Sequence, residues 1–513
     1  MAKYFIAHDL GTSGNKASLF TTEGKLVCSH TAPYDVHFFH GNYAEQNPED
    51  WWNAICSSTK EITRNIKPED VLAMSFSAQM QCCLIVDKEG TPIRPAIIWA
   101  DGRAQKEQKQ LEDLIGFDRM YEITGHRVSA SYSIEKLMWI KENEPENYEK
   151  TYLMLQAKDY IIYRLTGAFV TDYSDASGTN AMDLKKLCWS DEILAAAEID
   201  KAKLPPLHPS TDVAGCLTKD AAALLGLTSS TKVVIGGGDG PCSAVGAGCI
   251  HTDELFLTFG TSSWIGGTTE EVFTDSDKVL FCFAHVIPGK YMPCGTMQAA
   301  GSSYSYIKNA LCKEETDAAK AAGKDPYEVL NQMIQSSPAG AKSLIFLPYL
   351  LGERSPRWNP NTSGSFLGIK PCHEKADYVR AVVEGIAMNL ELILAAYRKT
   401  LTGKELIFTG GGAKGDVVAQ ILANVLDATL TRPNHVEEAT SIAAAVIAGV
   451  GIGVYDDFSA VEKYLTMQDT IKPNPNLSGI YEPLKKVFDK AYYCLEPLFD
   501  DLAELGQKNR PQV

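Results

Sequence analysis

The stretch from Phe5 to Phe20 constrains this chain more than any other. An apolar run closes on a carboxylate, Asp9; a small polar turn, Gly11-Thr12-Ser13-Gly14, follows; Lys16 opens a second apolar run. Two short strands joined by a glycine-bearing turn predict a β-hairpin. Glycines let backbone N–H groups approach an anion, hydroxyls add donors, and Lys16 adds positive charge. Asp9 would repel a bare phosphate, so the pattern predicts a magnesium ion or its waters between carboxylate and anion. An ordinary hairpin is the competing reading, because turns collect Gly, Ser and Thr in any case.

A second copy weighs against that alternative. Leu255 to Ile265 repeats the apolar strand, the Gly260-Thr261-Ser262 turn and the apolar continuation, roughly half the chain later. Thr258 stands where Asp9 stood, so the copy keeps the turn and loses the carboxylate. Two halves that each open on a phosphate hairpin imply a duplicated domain gripping one nucleotide.

The 513 residues exceed the usual limit of a single core and predict two large domains, 1–250 and 251–513. A composition 45% hydrophobic and 22% charged suits a globular protein with sizeable cores. The net charge of −16 disfavours nucleic acid or an anionic membrane as partner, since both demand a basic footprint. Met1-Ala2-Lys3 runs straight into the first strand, leaving no room for a signal peptide. The apolar stretch Ile442 to Val454 is too short to cross a bilayer and predicts a buried helix. Thirteen cysteines without a C-x-x-C pair, two of them adjacent in an apolar strand at Cys82-Cys83, predict reduced thiols and a cytoplasmic protein.

Strand-like runs at 71–77, 84–87, 232–236, 343–347 and 405–409 alternate with helical stretches at 53–65, 133–142, 378–400 and 416–425, the pattern of an α/β protein. Two of these strands end in glycine runs that lead into helices: Gly236-Gly237-Gly238 before Asp239, and Gly410-Gly411-Gly412 before Asp416. Strand, glycines and helix present backbone donors to a phosphate or base.

The residues further resemble the FGGY family of carbohydrate kinases along nearly the whole chain. Ser131 to Asn143 is similar to one family signature, and Gly364 to Glu384 to the other. Glu45 to Trp52, Trp99 to Arg103 and Leu347 to Arg354 are most similar to the family's xylulokinase branch. The resemblance implies two actin-like (ribonuclease H-like) domains with the active site in the cleft between them. It implies transfer of the ATP γ-phosphoryl group to a sugar hydroxyl, with D-xylulose as the leading acceptor.

It also implies site residues. Asp239 resembles the family's proton acceptor; a helix N-cap is the plainer role for an aspartate there. Asp9, with Asp239, is expected at Mg²⁺, and Gly11, Thr12, Ser13 and Lys16 near the transferred phosphate. Thr261, Gly301, Gly411, Gly412 and Asp416 are expected at the nucleotide, and Gln79, Met80, Gln81 and Asp101 at the sugar. Amide and carboxylate side chains supply the paired donors and acceptors that a polyol needs. Gln81 replaces the histidine usual in xylulokinases, and Gly240-Pro241 replaces Asn-Ala. Ribulose, gluconate, glycerol and a tetritol therefore stay open as acceptors. So do a sugar sensor without catalysis and an ATP-driven binding protein on the same scaffold. Homodimers are common among relatives, but one chain reveals no interface.

Overall fold

The computed structural model of the chain describes residues 2–508. Met1 and residues 509–513, the outer ends of the two expected domains, lie outside the described residues. Two mixed seven-stranded sheets dominate, and they repeat one topology. In the first, Leu26–Pro33, Gly14–Thr21 and Tyr4–Leu10 form an antiparallel meander, and Val71–Ala78 and Lys232–Val234 continue it in parallel. In the second, Tyr291–Met297, Ser263–Gly267 and Leu255–Phe259 form the meander, and Glu405–Thr409 and Thr429–Pro433 continue it. Each sheet adds an antiparallel edge strand beyond the last parallel one, Val213–Cys216 in the first and Met467–Ile471 in the second. This is the actin-like arrangement, in duplicate.

Strand alternation decides which side chains meet the cleft. Ile6 and Leu10 turn to one face of the first sheet, under the helices Pro48–Thr63 and Ala157–Thr166. Phe5 and Ala7 turn to the other face, and period two sends Asp9 with them. That second face is sealed by a helix from the opposite half of the chain, Ala439–Gly451, whose Ile442 to Ala448 pack on Phe5, Ala7, Ala73 and Val234. The exchange is reciprocal: Ala244 and Ala247 of the helix Asp239–Ala247 pack on Phe256, Met292 and Cys294 of the second sheet.

The expected elements form with shifted ends. The strand expected over 232–236 stops at Val234, and Gly236, at φ +76°, turns the chain before a two-residue bridge at Gly237–Gly238. Cys82 and Cys83 precede the strand Leu84–Val86 rather than lie within it. All thirteen cysteines are free. No helix among the described residues is long and apolar enough to cross a membrane.

The exchanged helices touch where a side chain would not fit. A Cβ on Gly246 would stand 1.7 Å from the carbonyl oxygen of Ala439. Helix propensity alone favours alanine over glycine by about 1 kcal/mol, but overlap with a backbone atom outweighs it. Gly246→Ala is expected to cost about 1–3 kcal/mol, read by calorimetry as a lower melting temperature; an unchanged or raised value would refute the contact.

Candidate active site

The first hairpin is pinned from several directions. Gly11 N–H donates to Gly14 O at 3.0 Å, Tyr34 Oη to Gly11 O at 2.5 Å, and Gln46 Nε2 to Thr12 O at 2.7 Å. Trp99 Nε1 donates to Thr12 Oγ1 at 2.9 Å, while Ser13 is exposed. Asp9 and Lys16 are cross-strand partners, so both point into the cleft. There they meet the start of the exchanged helix: Thr440 Oγ1 donates to Asp9 Oδ2 at 2.7 Å, and Lys16 Nζ lies 2.5 Å from Glu438 Oε1. Burial pushes the Asp9 carboxyl above its usual range; Thr440, Lys16 and Ser77 oppose the shift.

Asp239 is the first residue of its helix, and Gly238 is the N-cap. Its Oδ1 accepts the N–H of Gly240 at 2.8 Å, so the N-cap role weighed for it falls to its neighbour. The carboxylate opens on the cleft yet sits in a recess of the protein. Desolvation there, and then the charge of Asp9, push its pKa up to about 7. Two carboxylates repelling each other across a cleft is the arrangement a divalent cation relieves. Magnesium binds one or two protein carboxylates, keeps several waters and takes its remaining ligands from phosphate, and this donor set fits. Among the described residues, no cluster of three or more His, Cys, Asp or Glu side chains could cage a metal alone.

Two cavities meet at Thr261, and Asp239 lines one of them. The larger, about 530 Å³, lies in the second half between the Gly260–Thr261 turn, the start of the helix Gly301–Ala310 and the turn Gly411–Lys414. Thr261, Gly301, Gly411 and Gly412 line it, with Tyr304, Asn331 and Lys414, which the sequence reading had not singled out. Gly301 N–H donates to Gly260 O at 2.9 Å, closing the floor. Asp416 does not line the cavity: its side chain is 85% exposed and pairs with Arg432 at 2.8 Å. Gly11, Thr12, Ser13 and Lys16 also stand outside it, although Lys16 Nζ reaches its rim at the carbonyl of Glu437, 3.2 Å away.

The second cavity, about 430 Å³, shares Thr261 with the first and holds Asp239, Met80 and Gln81. Gln79 and Asp101, expected there, do not line it. Gln79 is buried and donates to Gln46 Oε1 at 2.8 Å. Asp101 is spent internally: its oxygens accept from Ala44 N–H at 2.6 Å and from the Arg103 guanidinium at 2.7 and 2.9 Å. Aromatic walls come instead from Trp99, Trp264, Phe281 and Phe283, and polar groups from Gln298 and Arg354. Arg354 is half-buried, and among the described residues no carboxylate lies within ion-pair distance of it.

The FGGY N-terminal domain matches residues 4–246, and the FGGY C-terminal domain matches residues 255–452. The chain belongs to the FGGY family of carbohydrate kinases. It is 32% identical to a xylulose kinase of Lactococcus lactis over 98% of this chain and 99% of the relative. It is 30% identical to a gluconokinase of Bacillus licheniformis over 98% of each. A solved xylulose kinase from Lactobacillus acidophilus superposes with a TM-score of 0.90 at 29% identity, covering 98% of this chain and all of that one. The chain is thus a sugar kinase, and its relatives divide over the acceptor.

The recess makes a measurable prediction. In the substrate-free protein, the ¹³C carboxyl signal of Asp239 should titrate near pH 7, and Asp9→Asn should move that midpoint down by removing a neighbouring negative charge. A midpoint in the ordinary range near 4 would contradict the recess.

Proposed function

We propose that this kinase transfers the γ-phosphoryl group of ATP to the terminal hydroxyl of a five-carbon ketose, D-xylulose first among them, with Mg²⁺ as cofactor. The observation that carries the reading is the placement of Asp239, which lines the acceptor cavity, itself sharing Thr261 with the nucleotide cavity. Desolvation and the charge of Asp9 push its carboxyl up to about 7. A carboxylate that opens on the acceptor cavity is placed to accept the proton of a hydroxyl bound there. The triphosphate occupies the second-half cavity, cradled by the glycine turns and helix starts, with Lys16 meeting it from the first hairpin. Magnesium between Asp9 and Asp239 would neutralise charge on the transferring group. Asp239 takes the hydroxyl proton as the acceptor oxygen attacks phosphorus. Gln81 hydrogen-bonds the polyol, and the aromatic walls exclude water, which would otherwise compete for the phosphoryl group. The free thiols suit a cytosolic setting.

One observation favours a second acceptor class. A half-buried guanidinium without a carboxylate partner matches a sugar acid, whose carboxylate it could hold in a forked pair. Gluconate is that candidate, and it agrees with the gluconokinase relative.

A coupled ADP-release assay against ketopentoses, polyols and sugar acids separates the two. D-xylulose turnover well above that of gluconate is expected. The reverse order, with Arg354→Met raising the KM for gluconate more than tenfold by roughly the worth of one charge-assisted pair, would give the acceptor to the second reading. In either case Asp239→Asn should lower kcat by about 10²–10⁴-fold with ATP affinity little changed. Turnover within a few-fold of the parent would remove Asp239 from the mechanism.

A further inference from the structure

The short helix Tyr173–Ser177 lines neither cavity, yet it holds the residue that precedes Asp239. Asp172 caps it, accepting the N–H of Ser174 at 2.9 Å and of Asp175 at 3.4 Å. That carboxylate is fully buried, and its charge is met by an equally buried Lys158, with Nζ 2.9 Å from Oδ1. Asp159 and Asp175 crowd the same ammonium at 2.7 and 3.3 Å. Burial lifts the Asp175 carboxyl well above its usual range, which thins the negative charge of the cluster.

Two hydroxyls donate to Asp172 Oδ2: Ser174 at 2.5 Å and Ser210 at 2.7 Å. A serine has one hydrogen to give. With it committed to Asp172, the Ser174 oxygen is left to accept, and it takes the N–H of Gly238 at 3.0 Å. There is no slack around this contact. A Cβ on Gly237 would stand 2.3 Å from Val286 Cγ1 and 2.7 Å from Ser174 Oγ, and one on Gly238 would stand 2.5 Å from Met80 Sδ. The far end of the helix reaches the other lobe, where Ser177 Oγ accepts the N–H of Ala284 at 3.1 Å.

We propose that Ser174, its hydroxyl oriented by Asp172, is a positioning residue for Asp239. It fixes the Gly238 N–H, sets the direction in which the helix starts, and registers the carboxylate against the second lobe. The proposal rests on Asp239 being the base of the reaction. Phosphoryl transfer needs the reacting groups held within a few tenths of an ångström, and a displacement of about 1 Å can cost roughly 100-fold in rate. The Ser174 contact supplies that constraint from outside the site.

Ser174→Ala deletes the acceptor without changing charge. It is expected to lower kcat about tenfold or more, while the dissociation constants for ATP and acceptor stay within about threefold. Ser210→Ala is the control: it removes an equivalent buried bond to the same carboxylate oxygen, but its side chain does not touch Gly238. It should lower the melting temperature comparably and leave kcat near that of the parent. Should Ser174→Ala not fold, Ser174→Cys, of similar volume and a weak acceptor, carries the same expectation. Equal kcat in the two alanine variants, or a Ser174→Ala enzyme at parental turnover, overturns the proposal. Asp239→Asn, run alongside, keeps the failures distinct: parental turnover there removes the base, whereas its loss beside an active Ser174→Ala removes only the positioning role.

Discussion

The site depends on two helices that cross between the sheets with a glycine against a backbone carbonyl. Because Ala439–Gly451 seals the first sheet, its leading residues Glu438 and Thr440 arrive beside Lys16 and Asp9. Because Asp239–Ala247 seals the second sheet, its first residue is held at the junction of both lobes. A bulkier residue at Gly246 would spread the pair, and the groups carried by both helix starts would move with it. The crossing therefore sets distances between residues that stand hundreds of positions apart in the chain.

The same crossing creates an electrostatic cost. Asp9 and Asp239 are both lifted above the ordinary carboxylate range, but by unequal surroundings. Asp9 has Thr440, Lys16 and Ser77 to favour its charged form; Asp239 has backbone N–H groups alone. Environments that treat two carboxylates differently set apart the protonation state that each one favours. The sign of the linkage follows. A carboxyl whose folded pKa is raised contributes stability that is complete below its unfolded value near 4 and is lost as pH rises to about 7. Above that, the folded protein carries a strained negative pair, and a cation placed between the two would relieve it.

The parts of this arrangement that are local in the chain were legible in the sequence. Both hairpins, the glycine-run strand ends and the buried helix near 442 follow from short-range pattern. The glycine run was also misleading: Gly236 breaks the strand there, and Gly238 takes the N-cap role that an aspartate usually fills. Thr440 and Glu438 gave no signal, because their significance comes from a helix exchanged between halves and not from any neighbouring residue. Gln79 and Asp101 have the chemistry of sugar ligands, but composition does not reveal that the Gln79 amide nitrogen is given to Gln46 or that Arg103 holds Asp101. Arg354 closes one of the quoted motifs, yet its place in the cavity wall, over the Phe281 ring, is visible only in three dimensions. Asp239 as base came from family resemblance; the geometry adds the desolvated recess and the opposing charge.

The division of the cavities between the lobes bears on how water is kept from the phosphoryl group. The larger cavity is lined by the second half alone, so a triphosphate that takes it, as proposed, does little by itself to draw the lobes together. The second cavity, the proposed acceptor site, is shared: Met80, Gln81, Trp99 and Asp239 come from one half, and Trp264, Phe281, Gln298 and Arg354 from the other. A sugar filling it touches both halves, and its binding free energy favours the closed arrangement over the open one. Water spans no such distance and makes no such contact. Under the proposed reading, closure is favoured by the molecule that is to be phosphorylated, and binding energy from hydroxyls remote from the reaction goes into aligning Asp239 with the one that reacts.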